Sequence, residues 1–364
     1  MHIVTHAAYL AWFRVIANEL TREWVFGMTH RPKMRNGGFV MKRLSLTAGF
    51  FLMPLLLVAP VLAQKNVRIN WTAVTGAQSG VYVAQEEGLF KKNGLDVELI
   101  HIPSSSRGIQ AILAGELAFS YMDGSNAAQA NLKGANLAMI AGATNRFVFS
   151  LMSKPEIKRV ADLKGKKIGI TRVGSSTHTA ALYALSQANL KPTDYQILPL
   201  MQVPNILTAL LAGQIDAGIV SPPTNSRARK AGFNELMNLA KEGPETVSVA
   251  LGTTRNYIRD HEDTVRRVVR AYAEAVQLFK ANKQVGIRVL GKYTKLTDQG
   301  VLEDAYNQFR EYLEDPPYVS RKAMEAVFAD IGDAAKSAKP DDIIEMRFVA
   351  DLEKEGFFKK SSAK

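Results

Sequence analysis

Ala111-Ile112-Leu113-Ala114-Gly115-Glu116-Leu117 is repeated in step by Ala209-Leu210-Leu211-Ala212-Gly213-Gln214-Ile215, and each copy runs through a small apolar strand into a turn: Asp123-Gly124-Ser125 in the first, Ser221-Pro222-Pro223 in the second. A helix ended by glycine, then a short buried strand and a loop, builds one wall of an α/β ligand site, because in open α/β sheets ligands lie beyond the carboxyl ends of the strands. Two such walls predict a cleft between two similar lobes. The echo continues upstream. Strand-like 67–72 leads into Val74-Thr75-Gly76-Ala77-Gln78, and strand-like 167–171 leads into Arg172-Val173-Gly174-Ser175-Ser176. In each copy a glycine stands between strand and helical run, which places free backbone N–H groups at a helix start. The competing explanation is convergent packing of two ordinary βαβ modules, since short Leu-Ala-Gly matches arise easily.

With 364 residues, 47% of them hydrophobic and 22% charged, the chain has the length and composition for two globular domains with proper cores. It contains no cysteine, which excludes disulfides, thiolate zinc sites, a cysteine nucleophile and iron–sulfur clusters. Met41-Lys42-Arg43, the apolar run 44–62 and the ending Val61-Leu62-Ala63 have the pattern of a secretory signal peptide over 41–63, with cleavage expected after Ala63 and a periplasmic destination. An uncleaved anchor is the alternative, because the run is nearly long enough to span a bilayer. Residues 1–40 are expected to be a leader from a mis-assigned upstream start, although 7–23 could form a helix. Segment 1–63 carries seven basic and two acidic residues, so the reported net charge of +12 falls to +7 beyond it. The basic residues of that remainder are dispersed, which argues against nucleic acid and for steering of small anions.

From Val67 onward strands and helices alternate as in an open α/β sheet. The expected strands are 67–72, 96–101, 119–122, 135–143 and 146–152, then 167–171, 196–200, 217–221 and 235–239, with 247–253 crossing back. Beyond His261 the pattern is helical: Val265, Val268, Val269, Tyr272 and Val276, and again Leu302, Tyr306, Phe309 and Leu313, recur at core-packing spacing. The expected division is lobe one from 66–154 plus 250–358, lobe two from 155–249, and a frayed tail at 359–364.

Three stretches are familiar: Ala84-Gln85-Glu86-Glu87-Gly88-Leu89-Phe90-Lys91-Lys92-Asn93-Gly94-Leu95-Asp96-Val97-Glu98, Ala161-Asp162-Leu163-Lys164-Gly165-Lys166-Lys167-Ile168-Gly169, and Gly174-Ser175-Ser176-Thr177-His178. In content and order they resemble the nitrate/sulfonate/taurine branch of bacterial ABC-transporter substrate-binding proteins. The resemblance covers about 66–358 and implies a two-lobed periplasmic binding protein of type II, each lobe an open α/β sheet, joined by a two-strand hinge. It also implies a small-molecule ligand, an inner-membrane ABC permease with a cytoplasmic ATPase as partner, a monomer, and no cofactor. One departure is that Asp216-Ala217 is followed by Gly218-Ile219-Val220, where the family often has an aromatic residue. Yeast-type pyrimidine synthases share the fold in outline, but their cysteine-rich chemistry has no counterpart here.

Gly174, Ser175, Ser176 and Thr177 at a helix start are the strongest candidate site, since helix-end N–H groups and hydroxyls favour an oxyanion; plain N-capping is the alternative. Ser104, Ser105 and Ser106 offer the same chemistry from lobe one. The resemblance adds Thr75, Gly76 and Gln78, where family members meet the ligand. Asp123, Gly124, Ser125 and Ser221 close the opposite side, Asp123 as a turn cap or as an acceptor for a ligand amine. Val173, Val220 and Pro222 are the apolar neighbours expected to suit a hydrocarbon body. His101, His178 and His261 have no metal spacing, and no Gly-x-Ser-x-Gly elbow or phosphate-binding loop occurs, so a binding protein is expected rather than an enzyme. The expected ligand is a small organic anion, sulfonate- or carboxylate-like; the alternatives are delivery to a membrane sensor, or a pyrimidine-precursor binding protein or enzyme of the same fold.

Overall fold

The computed structural model describes residues 66–360. The leader, the signal peptide and 361–364 lie outside them. The first half of the chain forms β1 (Val67–Trp71), α1 (Ser79–Glu86), β2 (Val97–His101), α2 (Ser105–Leu113), β3 (Phe119–Met122), α3 (Gly124–Leu132) and β4 (Leu137–Arg146). Then follow β5 (Ser150–Ser153), β6 (Lys167–Ile170), α4 (Ser176–Ser186), β7 (Gln196–Pro199), α5 (Val203–Leu211), β8 (Ala217–Val220), α6 (Thr224–Lys230), β9 (Asn234–Asn238) and β10 (Glu245–Thr254). The rest is helical: α7 (Glu262–Ala281), α8 (Lys283–Thr294), α9 (Gln299–Tyr312), α10 (Arg321–Ile331) and α11 (Arg347–Lys354), with short helical turns between several elements.

The repeated heptapeptides fold alike to the level of single hydrogen bonds. Gly115 (φ 74°) and Gly213 (φ 70°) end α2 and α5 in the left-handed region, where a side chain would be strained. The Glu116 and Gln214 amides donate to Ala111 and Ala209 at 2.9 Å, while Gly115 and Gly213 donate to Ile112 and Leu210, so each copy closes its helix with the same two bonds. Each then delivers a fully buried strand, β3 or β8, to the third position of a five-stranded sheet.

The sheet orders are β2-β1-β3-β10-β4 and β7-β6-β8-β5-β9. Within each, the first three strands are parallel and the fourth is an antiparallel strand from the other half of the chain. The seams therefore differ from the expected 154 and 250. Ser150–Ser153 pairs with β8 and β9 of the second sheet, and β10 joins the first from Glu245. The apolar run Phe147-Val148-Phe149 is buried as it crosses, so hydrophobicity is continuous through the seam and gives no sign of where the chain changes sheets.

The C-terminal helices cover the first sheet: α7 and α8 lie on α1, α10 on β10 and α3, and α11 on β4. Val265, Val268, Val269, Tyr272 and Val276 form the buried face of α7, and Leu302, Tyr306 and Phe309 that of α9, as their spacing predicts. Lys359, expected in a frayed tail, instead lies in a 3-10 turn, Phe357–Lys360. Among the described residues no helix is long and apolar enough to cross a membrane.

Candidate functional site

The carboxyl ends of both sheets face one cavity of about 70 Å³, lined from lobe one by Thr72–Thr75, Gln78, His101, Ser104, Ser105, Met122 and Asp123, and from lobe two by Thr171, Ser175–Thr177, Met201–Val203 and Ser221. The crossing segments add Val148, Phe149, Ser248 and Val249. The lobes meet around it. Thr75 Oγ1 donates to the Pro222 carbonyl (3.2 Å), and Asn126 Nδ2 donates to the Gly174 carbonyl (2.7 Å). On another flank Arg229 reaches Asp304 at 2.9 Å, and Asn225 Nδ2 donates to Gln308.

Nine of the fourteen residues expected at a site therefore line one cavity: Thr75, Gln78, Ser104, Ser105, Asp123, Ser175, Ser176, Thr177 and Ser221. Five do not. Gly76 is packed: a Cβ there would lie 2.2 Å from the Phe309 ring. Gly124 abuts Val247 and Val327. Ser106 bonds the Ser104 hydroxyl at 3.0 Å. Ser125 and Gly174 line a separate open groove of about 930 Å³ outside the Asn126 bridge, with Leu132, His178 and Leu182. The apolar neighbours also differ from expectation: Val173 is 69% exposed and faces that groove, and Val220 is fully buried. Val74, Met122, Val148, Phe149, Val203 and Val249 supply the apolar lining instead.

On the lobe-two wall the hydroxyls satisfy one another. Thr171, Ser175 and Thr177 form a triangle of contacts at 2.8–2.9 Å, Ser175 Oγ also donates to the Arg172 carbonyl, and Thr177 Oγ1 accepts from the Thr171 amide. This holds the loop so that the amides of Ser176 and Thr177, in the first turn of α4 where no intrahelical acceptor exists, stand at the cavity. Those amides and the positive helix end are the anion-favouring groups. His178 Nδ1 accepts from the Gly174 amide, which fixes a neutral imidazole with its proton on Nε2, and burial lowers its pKa.

The lobe-one wall is built differently. Gln78 clamps the loop after β1, accepting from the Thr72 amide and donating to the Thr72 hydroxyl, both at 2.8 Å. Asp123 caps α3, accepting from the Asn126 amide (2.9 Å) and side chain (2.7 Å), so its cap role is realised. Burial raises its pKa, against the pull of those bonds. His101, not expected at a site, ends β2 opposite Trp71 and stacks on it at 3.7 Å. Its place at the carboxyl end of a strand was the available signal. Burial lowers its pKa, which favours the neutral ring. Ser248, also unexpected, lies where the β10–β4 register shifts, between Glu245 and Val249; such an irregularity re-aims side chains.

The model of the NMT1/THI5-like family matches residues 76–284. The chain belongs to that family. A Brucella abortus protein named as a candidate binding protein is 27% identical over 244 residues, 66% of this chain and 75% of its own. The periplasmic aliphatic sulphonate binding protein SsuA from Escherichia coli superposes with a TM-score of 0.60 at 21% identity, over 80% of this chain and 93% of that one. The desulfurization enzyme DSZB does so with a TM-score of 0.60 at 13% identity, over 80% and 100%. These superpositions establish a periplasmic-binding-protein fold, and they show that the fold serves both binding proteins and an enzyme.

Proposed function

We propose that this chain is a periplasmic solute-binding protein that captures a small organic solute by closing its two lobes and delivers it to an inner-membrane ABC permease with its cytoplasmic ATPase. The observation that carries this is the cavity itself: polar groups from the strand ends of both sheets converge on one space lined by both lobes. A solute touching both walls stabilises the closed form over the open one, which is how binding becomes a signal for delivery. On this reading the lobes hinge at 147–149 and 239–244, between β4 and β5 and between β9 and β10.

For the solute, the first turn of α4 favours a small oxyanion, sulfonate- or carboxylate-like. A second reading rests on charge: no lysine or arginine is among the described residues lining the cavity, whose ionisable groups are Asp123 and His101. That lining suits an uncharged polar solute, such as a pyrimidine precursor, as well as an anion held by amides alone. A thermal-shift screen of sulfonates, carboxylates, nitrate and pyrimidines tests both readings, because a solute bound only by the native state raises Tm by mass action. A rise with a sulfonate or carboxylate supports the first reading and a rise with a pyrimidine the second. No rise with any member contradicts both.

A further inference from the structure

Two polar atoms of residues that line the cavity have no hydrogen-bond partner among the described residues: His101 Nε2 and Ser248 Oγ. Both residues line the cavity, and Ser248 is only 3% exposed. Buried polar atoms are nearly always paired, and a pair left unmatched in one cavity calls for a reason. Neither is an accident of loose packing. The plane of the His101 ring is held by its near-parallel stack on Trp71, with 12° between the rings. Ser248 is turned by the irregular stretch of β10, a strand that itself joins the lobes.

We propose that His101 and Ser248 are ligand-contacting residues that make closure depend on the ligand. The inference rests on the solute-binding reading above and adds two residues to it. With the lobes apart, water can reach both atoms; bringing the lobes together removes that water and strands them. A solute group that pairs with both removes the penalty. A neutral imidazole and a hydroxyl can each donate or accept, so the group recognised is a hydroxyl, amide or ring nitrogen with its neighbouring N–H, not a bare hydrocarbon. An oxyanion bound at the α4 end would thus carry such a group at its other end.

The test uses small-angle X-ray scattering on the ligand-free chain together with titration by ethanesulfonate, 2-hydroxyethanesulfonate and cytosine. Ser248→Ala and His101→Phe remove the stranded atom and keep the volume or the stack. Both variants are expected to have a smaller ligand-free radius of gyration than wild type, because closing no longer strands a polar atom. They are also expected to bind whichever probe raises the wild-type Tm about tenfold more weakly, the size of one lost hydrogen bond to a buried group. His101→Gln, which keeps a polar nitrogen near Nε2, recovers wild-type scattering. Unchanged ligand-free scattering in both Ser248→Ala and His101→Phe overturns the proposal, as does undiminished probe affinity. If no probe shifts wild type, the solute classes above fail, and the scattering alone decides whether these two atoms resist closure.

Discussion

Gly76 and Gly174 hold equivalent places in the two halves of the chain, each between a strand and a helical turn, yet they are glycine for opposite reasons. Gly76 has ordinary backbone angles but no room, because Phe309 of α9 presses on it. Gly174 has ample room but a φ of 77°. The difference extends to the walls they belong to. The lobe-one wall is backed by the C-terminal helices and, with β10, leaves His101 Nε2 and Ser248 Oγ without a hydrogen-bond partner among the described residues. The lobe-two wall closes its own hydroxyls into a triangle and offers backbone amides. One sequence pattern thus frames two chemically unlike surfaces, one offering backbone amides beside self-paired hydroxyls and the other offering unpaired side-chain atoms.

The comparison is sharpest at the glycines. Gly76→Ala is expected to destabilise the protein by about 1–3 kcal/mol through overpacking, with partial recovery in Gly76→Ala/Phe309→Leu, measured by urea unfolding. Loss of the same size in the double variant would place the constraint in the backbone instead. On the other wall, Thr177→Val keeps the shape but removes the oxygen that accepts from the Thr171 amide, and is expected to cost about 1–2 kcal/mol. Stability equal to wild type would mean that the triangle is not what holds this loop. Gly174→Ala is expected to cost about 1 kcal/mol, from left-handed strain alone, and Gly174→Asn less than that. A loss from Gly174→Ala as large as that from Gly76→Ala would erase the contrast.

A smaller effect concerns pH. His101 and His178 are both held below the ordinary imidazole pKa by burial, so the unfolded chain binds more protons than the folded one as pH falls through about 6.5. Their contribution is therefore intact at neutral pH and declines below it. Asp123, raised by burial, has the opposite sign: the folded chain holds its proton to higher pH than the unfolded one, so its contribution falls as pH rises above the ordinary carboxylate value. His178→Asn, which keeps an acceptor for the Gly174 amide without a titrating ring, is expected to flatten the fall in Tm between pH 7 and 5.5. An unchanged slope would assign the effect elsewhere.

Much of this was legible in the sequence. The likeness of the two heptapeptides and the glycine within each predicted two equivalent helix–strand units, and periodicity predicted the buried faces of α7 and α9. The seams were not legible, because Phe147-Val148-Phe149 is apolar whether it continues a strand or leaves it. At the site, residue type and position picked out nine lining residues, but not which of their groups remain free. Ser175 and Thr177 read as ligand hydroxyls, yet both are engaged with neighbours two to six positions away. His101 carried no motif; its importance comes from a cross-strand pairing with Trp71 that no local pattern encodes. Ser248 depends on a register shift against β4, a partner a hundred residues earlier in the chain.

The most direct measurement is a crystal structure of the protein with the solute that raises its Tm most. Electron density for that solute is expected between the lobes, with one end within hydrogen-bond distance of the Ser176 or Thr177 amide and the other on His101 Nε2 or Ser248 Oγ. Density confined to the outer groove beside Leu132 and Leu182, or touching the wall of one lobe alone, would contradict it.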